Sequence, residues 1–105
     1  MFYVDLEFWR GTKFGPMTIQ ALDSGGAPLN LTGFQVVAKT DYFDLKPAIT
    51  DPVNGIITIV LQAADTAFIE LGKYRWDMLL TNLAGEITGP FVGGAVRAYQ
   101  PDSNA

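Results

Sequence analysis

The chain has 105 residues, enough for one domain and too few for two. Its 11 acidic and 7 basic residues give a net charge of −4, and the basic residues form no cluster, so we expect no binding to nucleic acid. Histidine and cysteine are both absent, which removes disulfides, thiolate chemistry and the commonest general base and metal ligand. No apolar run approaches the ~20 residues that span a bilayer, and the N-terminus has no secretion-signal pattern, so we expect no membrane partner.

The N-terminal part of the chain reads as short strands separated by turns. Apolar and polar residues alternate over residues 2–10, which predicts a half-buried strand. Its predicted inward residues are Phe2, Val4, Leu6 and Phe8, and its outward residues are Tyr3, Asp5, Glu7 and Trp9. A second strand is predicted at 16–22, a turn at 23–28 and a third strand at 34–41. The inward residues of these strands should be Met17, Ile19 and Ala21, and then Phe34, Val36 and Ala38.

The C-terminal part adds further strands and one helical segment. An edge strand is predicted at 45–50, since proline is tolerated at edges, and Asn54-Gly55 predicts a turn before the β-branched run 56–61. Helical spacing predicts one short helix within 62–71 that crosses between sheets, with Gly72 as its cap.

Two long strands should complete the fold. The first, at 73–81, should bury Tyr74, Trp76, Met78 and Leu80, and a hairpin loop at 82–85 leads to the second, at 86–99. The last strand should bend near Gly89-Pro90 or Gly93-Gly94, where a bulge costs little. Six or seven short strands with frequent turns predict an all-β sandwich or barrel, with one domain at 1–100 and a short polar tail at 101–105.

The sequence offers little for catalysis, and we expect a protein that is not an enzyme and has no cofactor and no metal. Without histidine or cysteine, a serine with a lysine base would remain, but Ser24 and Ser103 fall in a turn and in the tail. Asp41, Asp44 and Asp51 could together hold Ca²⁺, or they are solvated turn residues, which their spacing favours.

Aromatic side chains are the better candidates for a binding role. Tyr3, Trp9, Tyr42 and Phe43 lie on the outward side of the first strand or in a loop, and they form the candidate assembly interface. The alternatives are a first strand that packs on both sides, and a small cluster of Tyr42 and Phe43 under the loop.

Several turn-and-strand signatures occur in a fixed order along residues 10–98. They are Arg10-Gly11-Thr12-Lys13-Phe14, Ala27-Pro28-Leu29-Asn30-Leu31-Thr32-Gly33-Phe34, Asp51 to Gly55-Ile56-Ile57-Thr58, Leu61-Gln62-Ala63-Ala64-Asp65-Thr66-Ala67, Gly72-Lys73-Tyr74-Arg75-Trp76-Asp77 and Asn82-Leu83-Ala84-Gly85-Glu86. In this order they resemble the small Ig-like domains of tailed-phage structural proteins, notably the N-terminal domain of the baseplate upper protein family. The resemblance implies an Ig-like antiparallel β-sandwich of about seven strands, with the short helix of residues 62–71 in a crossover. Lys39 departs from the family pattern, which has arginine there, and an Ig-like strand order would place Lys39 beside Asp77 on the outer face of one sheet.

The resemblance also implies a function. It indicates a virion structural protein, such as a tail or baseplate adaptor or a capsid decoration subunit, made in the host cytoplasm and located in the virion. Its partners would be other virion proteins and further copies of itself in a homo-oligomer. Because the chain stops after one domain, a compact adaptor or decoration subunit fits better than a receptor binder. The alternative is a carbohydrate-binding or cell-surface adhesion module that uses Tyr42, Phe43 or Trp9.

Overall fold

The computed structural model describes residues 2–23 and 25–99. The predicted tail at 101–105 and the two serines considered as nucleophiles, Ser24 and Ser103, lie outside these ranges.

The described residues form two packed β-sheets with one short helix between them. In chain order the elements are β1 (Phe2–Tyr3), β2 (Leu6–Trp9), β3 (Phe14–Gln20), β4 (Gln35–Lys39), β5 (Pro47–Asp51), β6 (Ile56–Leu61), α1 (Ala63–Thr66), β7 (Gly72–Thr81) and β8 (Ile87–Tyr99). One sheet has the order β1/β2–β8–β7–β4, and the other has the order β3–β6–β5. β3, β6 and β5 in one sheet and β4, β7 and β8 in the other follow the strand order of an Ig-like sandwich, while β1 and β2 act as one interrupted strand beside β8. The predicted all-β sandwich of about seven strands is confirmed.

The first strand departs from the predicted antiparallel pairing. It pairs with β8 in parallel, with Leu6 beside Val96 and Trp9 beside Tyr99. The register is the same on both sides of the interruption, since Tyr3 lies beside Gly93. Alternation in a sequence indicates which face of a strand is buried, but it does not indicate the neighbour or the direction of pairing.

Three contacts explain the interruption between β1 and β2. The carbonyl of Val4 accepts a hydrogen bond from Nε1 of Trp76 at 2.8 Å. The carboxylate of Asp5 accepts the backbone N–H of Ala95 at 3.0 Å, in place of a backbone carbonyl. Gly94 has no side chain, and a methyl group there would overlap the Val4 carbonyl oxygen. The first strand is therefore bound to β8 by side chains as well as by backbone bonds.

The core lies between the sheets and follows the predicted alternation. Leu6 and Phe8 are buried from β2, while Trp76, Met78 and Leu80 are buried from β7. Other buried apolar residues are Ala21, Leu31, Ala38, Leu45, Ile57, Ile59, Leu61, Ile69, Val92, Val96 and Ala98. Half-buried members of the same core include Val4, Met17, Ile19, Phe34, Val36 and Tyr74. The side chain of Phe2 lies outside the described part.

The helix is shorter than predicted. It begins with a capping box between Gln62 and Asp65 and lasts four residues, Ala63–Thr66. Its last residue, Thr66, is buried and donates its hydroxyl to the carbonyl of Thr12 at 2.6 Å. Gly72 opens β7 and does not cap a helix. No helix in the described ranges is long and apolar enough to cross a lipid bilayer.

Two predictions about the long strands are confirmed. Met78 pairs with Val92, and Leu80 pairs with Thr88. Two residues along β7 therefore correspond to four along β8, so the ladder is irregular around Gly89-Pro90. Gly93-Gly94 pairs regularly. Lys39 and Asp77 are direct cross-strand partners between β4 and β7. Both side chains are exposed on the outer face of the sheet.

Candidate interaction surface

The four aromatic residues predicted to form an interface lie in two separate places. Tyr3 and Trp9 lie on the outer face of the first strand, six residues and therefore about 20 Å apart. Tyr42 and Phe43 lie in the loop between β4 and β5. Tyr3, Trp9 and Tyr42 are 69%, 46% and 80% exposed, and Phe43 is half-buried. The structure thus places Tyr42 and Phe43 together, whereas Tyr3 and Trp9 lie apart, so the four residues do not form one patch.

On the first strand, the two aromatic side chains have different surroundings. Trp9 packs against Tyr99 of β8, with ring centroids 5.5 Å apart. Tyr3 borders a shallow hollow on the outer face of the sheet, above the small residues Gly94 and Ala95. Because both side chains are substantially exposed, the alternative of a first strand packed on both faces does not hold.

The loop between β4 and β5 is organised by one buried threonine. The Thr40 hydroxyl accepts the backbone N–H groups of Tyr42 and Phe43, each at 3.0 Å. The backbone N–H of Thr40 also donates to the Phe43 carbonyl at 2.9 Å. This tight turn directs Tyr42 to solvent and Phe43 towards the core, where its ring lies 6.2 Å from that of Phe8.

Tyr42 and Phe43 form one wall of a groove at the edge of the sandwich. Both rings pack edge-on against Tyr74, at 5.5 and 5.3 Å. The Tyr74 hydroxyl donates to the Glu70 carbonyl at 2.6 Å, which ties the aromatic cluster to the crossover segment. The groove has a volume of about 530 Å³, and we call it the Tyr42 groove. Its lining also includes Phe68, Ile69, Leu71, Gly72 and Lys73.

Two residues of this groove are not apparent from the sequence. The spacing of Phe68 and Leu71 predicts a helix, but they follow α1 and are 85% and 50% exposed. Of the segment after the helix, Ile69 is the residue that enters the core. Apolar spacing alone does not distinguish a helix stripe from an irregular segment that exposes its apolar side chains.

An ion pair flanks the crossover segment. Lys46 Nζ lies 2.7 Å from Asp65 Oδ1. This hydrogen bond from Lys46, together with one from the Gln62 backbone N–H, holds the pKa of Asp65 below its ordinary value of 3.8. Both side chains line a small depression that also includes Phe43 and Phe68, so the pair joins the β4–β5 loop to α1 beside the Tyr42 groove.

The aspartates considered for Ca²⁺ do not form a site. Asp44 accepts the backbone N–H of Lys46 at 2.8 Å, and Asp51 accepts Nδ2 of Asn54 at 2.9 Å. Both are local turn interactions, as expected of solvated turn residues. Within residues 2–23 and 25–99, no group of three acidic residues could hold a metal ion.

No protein-family model matches the chain, and no curated protein sequence matches it significantly.

Proposed function

We propose that this chain is a structural subunit of a tailed-phage virion and acts through protein–protein assembly without catalytic turnover. The observation that carries the proposal is the Tyr42 groove. Tyr42, Phe68 and Leu71 are at least half exposed and lie together on a surface that includes Tyr74, whose hydroxyl donates to the Glu70 carbonyl. Apolar side chains that cluster on the surface of a soluble domain are typical of interaction sites.

Two further observations support a structural role. Composition offers neither a histidine- nor a cysteine-based catalytic set. The order of turn signatures along residues 10–98 resembles that of phage virion domains, and a two-sheet β-sandwich is compatible with such a domain. In this proposal the chain is made in the host cytoplasm, assembles with other virion proteins and with copies of itself, and serves as a tail or baseplate adaptor or as a capsid decoration subunit.

Mass spectrometry of gradient-purified virions tests this proposal. We expect the chain in mature particles at a fixed ratio to other virion proteins. Absence from particles, with presence only in infected-cell lysate, would refute the virion role.

Point variants test whether the Tyr42 groove is the assembly contact. Tyr42→Ala and Phe68→Ala remove exposed side chains. The free energy of unfolding should change by no more than about 0.5 kcal/mol in Phe68→Ala and by less than about 1.5 kcal/mol in Tyr42→Ala, which loses the contact with Tyr74. Incorporation into particles should nevertheless fall. Val53→Ala is a matched control, because Val53 is also exposed but lies in the β5–β6 turn, outside the groove. Equal incorporation of all three variants would exclude the groove as the contact.

A second candidate function is carbohydrate binding by the same groove. The observation that favours it is the combination of the aromatic rings of Tyr42 and Phe68 with the polar residues Glu70 and Lys73 around one depression. Aromatic faces stack on sugar rings, and polar groups beside them bond the hydroxyls. Binding of the isolated monomer on a glycan array, lost in Tyr42→Ala, would favour this function over assembly.

A further inference from the structure

The outer edge of β3 has no strand partner among the described residues. β3 is the first strand of the order β3–β6–β5, and its inner edge pairs with β6. In many sandwiches the first strand covers this edge, but here β1 and β2 lie on the opposite sheet beside β8. An unpaired edge presents backbone donors and acceptors to any strand that can reach it.

The direction of the free backbone groups follows from the neighbouring bonds. The N–H of Ala21 donates to the Gly55 carbonyl at 2.8 Å, on the β6 side of the strand. The backbone N–H and C=O groups of successive residues point to opposite edges of a strand. The N–H and C=O groups of Thr18, Gln20 and Leu22 therefore point outward, away from β6.

The open edge of β3 borders an apolar groove between the two sheets, with a volume of about 520 Å³. Its apolar lining comprises Val4, Met17, Ile19, Ala21, Leu22 and Val92. The chain carries no charged residue from Phe14 to Leu22. The other edge strands do carry charges, with Glu7 in β2, Lys39 in β4 and Asp51 in β5, and such charges discourage edge pairing.

We propose that the open edge of β3 binds the same edge of a second copy of this chain, so that two three-stranded sheets join into one across a twofold axis. The edge is complementary to itself. It is uncharged, and its side chains alternate between apolar residues on the face towards the core and polar residues on the face towards solvent. An antiparallel register centred on Gln20 places Thr18 of each copy opposite Leu22 of the other. Every outward N–H of these residues then finds an outward carbonyl.

The same register also covers the apolar groove beside β3 with residues of the second copy. On the inner face, Ile19 of one copy lies opposite Ala21 of the other, so the half-buried side chains of β3 are covered by apolar groups. Pro16 lacks an N–H and stands before this stretch, so it limits the ladder to the residues that follow it. This inference deepens the assembly role proposed above by naming a second copy as the partner of a surface distinct from the Tyr42 groove.

A charge-swap experiment tests the proposed register. On the twofold axis Gln20 faces its own copy, so Gln20→Lys and Gln20→Glu each place like charges opposite one another. The dimer dissociation constant measured by sedimentation should rise by about fivefold or more in each variant, less so at high salt. An equimolar mixture of the two variants should restore wild-type affinity, which no loss of monomer stability would allow. Thr50→Lys, on the opposite edge of the same sheet, is the control and should leave the constant unchanged.

Amide hydrogen exchange provides an independent readout. The amides of Thr18, Gln20 and Leu22 should become protected as protein concentration rises, whereas that of Ala21 is bonded within the monomer and should be protected throughout. A chain that stays monomeric at millimolar concentration would overturn the inference, as would a dimer unaffected by the Gln20 variants. In the first case any strand on this edge would have to come from another protein. A monomeric chain found in purified virions would overturn this inference alone, and a dimeric chain absent from virions would overturn only the virion role.

Discussion

Replacing Trp76 with alanine should destabilise the fold more than any other single aromatic truncation considered above. Trp76 is 2% exposed, at the centre of β7, and its Nε1 donates to the Val4 carbonyl at 2.8 Å. Burial of such a side chain removes about 150–250 Å² from water, and at ~25 cal/mol/Å² this corresponds to about 4–6 kcal/mol. Alanine retains part of that, which leaves a loss of about 3–5 kcal/mol, consistent with truncation of buried aromatic residues elsewhere.

The lost hydrogen bond adds to this cost. A buried carbonyl without a donor costs about 1–3 kcal/mol. We therefore expect Trp76→Ala to lower the free energy of unfolding by about 4–8 kcal/mol, a large share of the ~5–15 kcal/mol of a domain. Trp76→Phe, which keeps an aromatic ring but not the donor, should cost about 1–3 kcal/mol.

Guanidinium denaturation followed by circular dichroism measures both values. Trp9→Ala is the matched control, because Trp9 is 46% exposed and should cost less than about 1.5 kcal/mol through its contact with Tyr99. A denaturation midpoint that does not change in Trp76→Ala, or one no lower than that of Trp9→Ala, would contradict the proposed role of Trp76 in the core.

Two further predictions concern backbone approach and pH. Gly94→Ala should destabilise the fold by about 2–3 kcal/mol, because the methyl group would meet the Val4 carbonyl, whereas Gly25→Ala in an exposed turn should be close to neutral by the same denaturation assay. Lys46→Met should raise the pKa of Asp65 towards 3.8, which NMR titration of the carboxylate would detect. Since the folded-state pKa of Asp65 is depressed, its contribution to stability is present above the ordinary value of 3.8 and is lost as pH falls through the lower folded value; an unchanged carboxylate titration in Lys46→Met would show that the ion pair is not the cause.

The strand positions could be predicted from sequence because burial on one face imposes a period of two. Leu6 and Phe8 in β2, and Trp76 and Met78 in β7, are buried as the alternation requires. Turn chemistry was equally informative. Asn82 accepts the backbone N–H groups of Ala84 and Glu86, as expected of an asparagine that begins a hairpin loop.

The pairing of the first strand, the contact made by the short helix and part of the Tyr42 groove could not be predicted, because they depend on contacts between residues that are distant in the sequence. The parallel pairing of the first strand depends partly on Asp5 and Ala95, which are far apart in the chain. The short helix is joined to the distant Thr12 carbonyl by the Thr66 hydroxyl, a contact that local spacing does not reveal. The Tyr42 groove could be predicted only in part. The loop position of Tyr42 and Phe43 indicates exposed aromatic residues. The spacing of Phe68 indicates a helix, but the helix ends before this residue.

The placement of the first strand links the core to the proposed dimer edge. Trp76 and Asp5 bond this strand to β7 and β8, and Gly94 allows the Val4 carbonyl to approach. These contacts engage the Val4 carbonyl in the sheet that contains β8. The first strand is therefore not free to pair with β3 in the other sheet. The side chains that complete the core therefore also leave the β3 edge without a strand partner among residues 2–23 and 25–99. A second copy satisfies that edge without loosening the first strand, which is why we favour dimer formation over a rearrangement of the monomer.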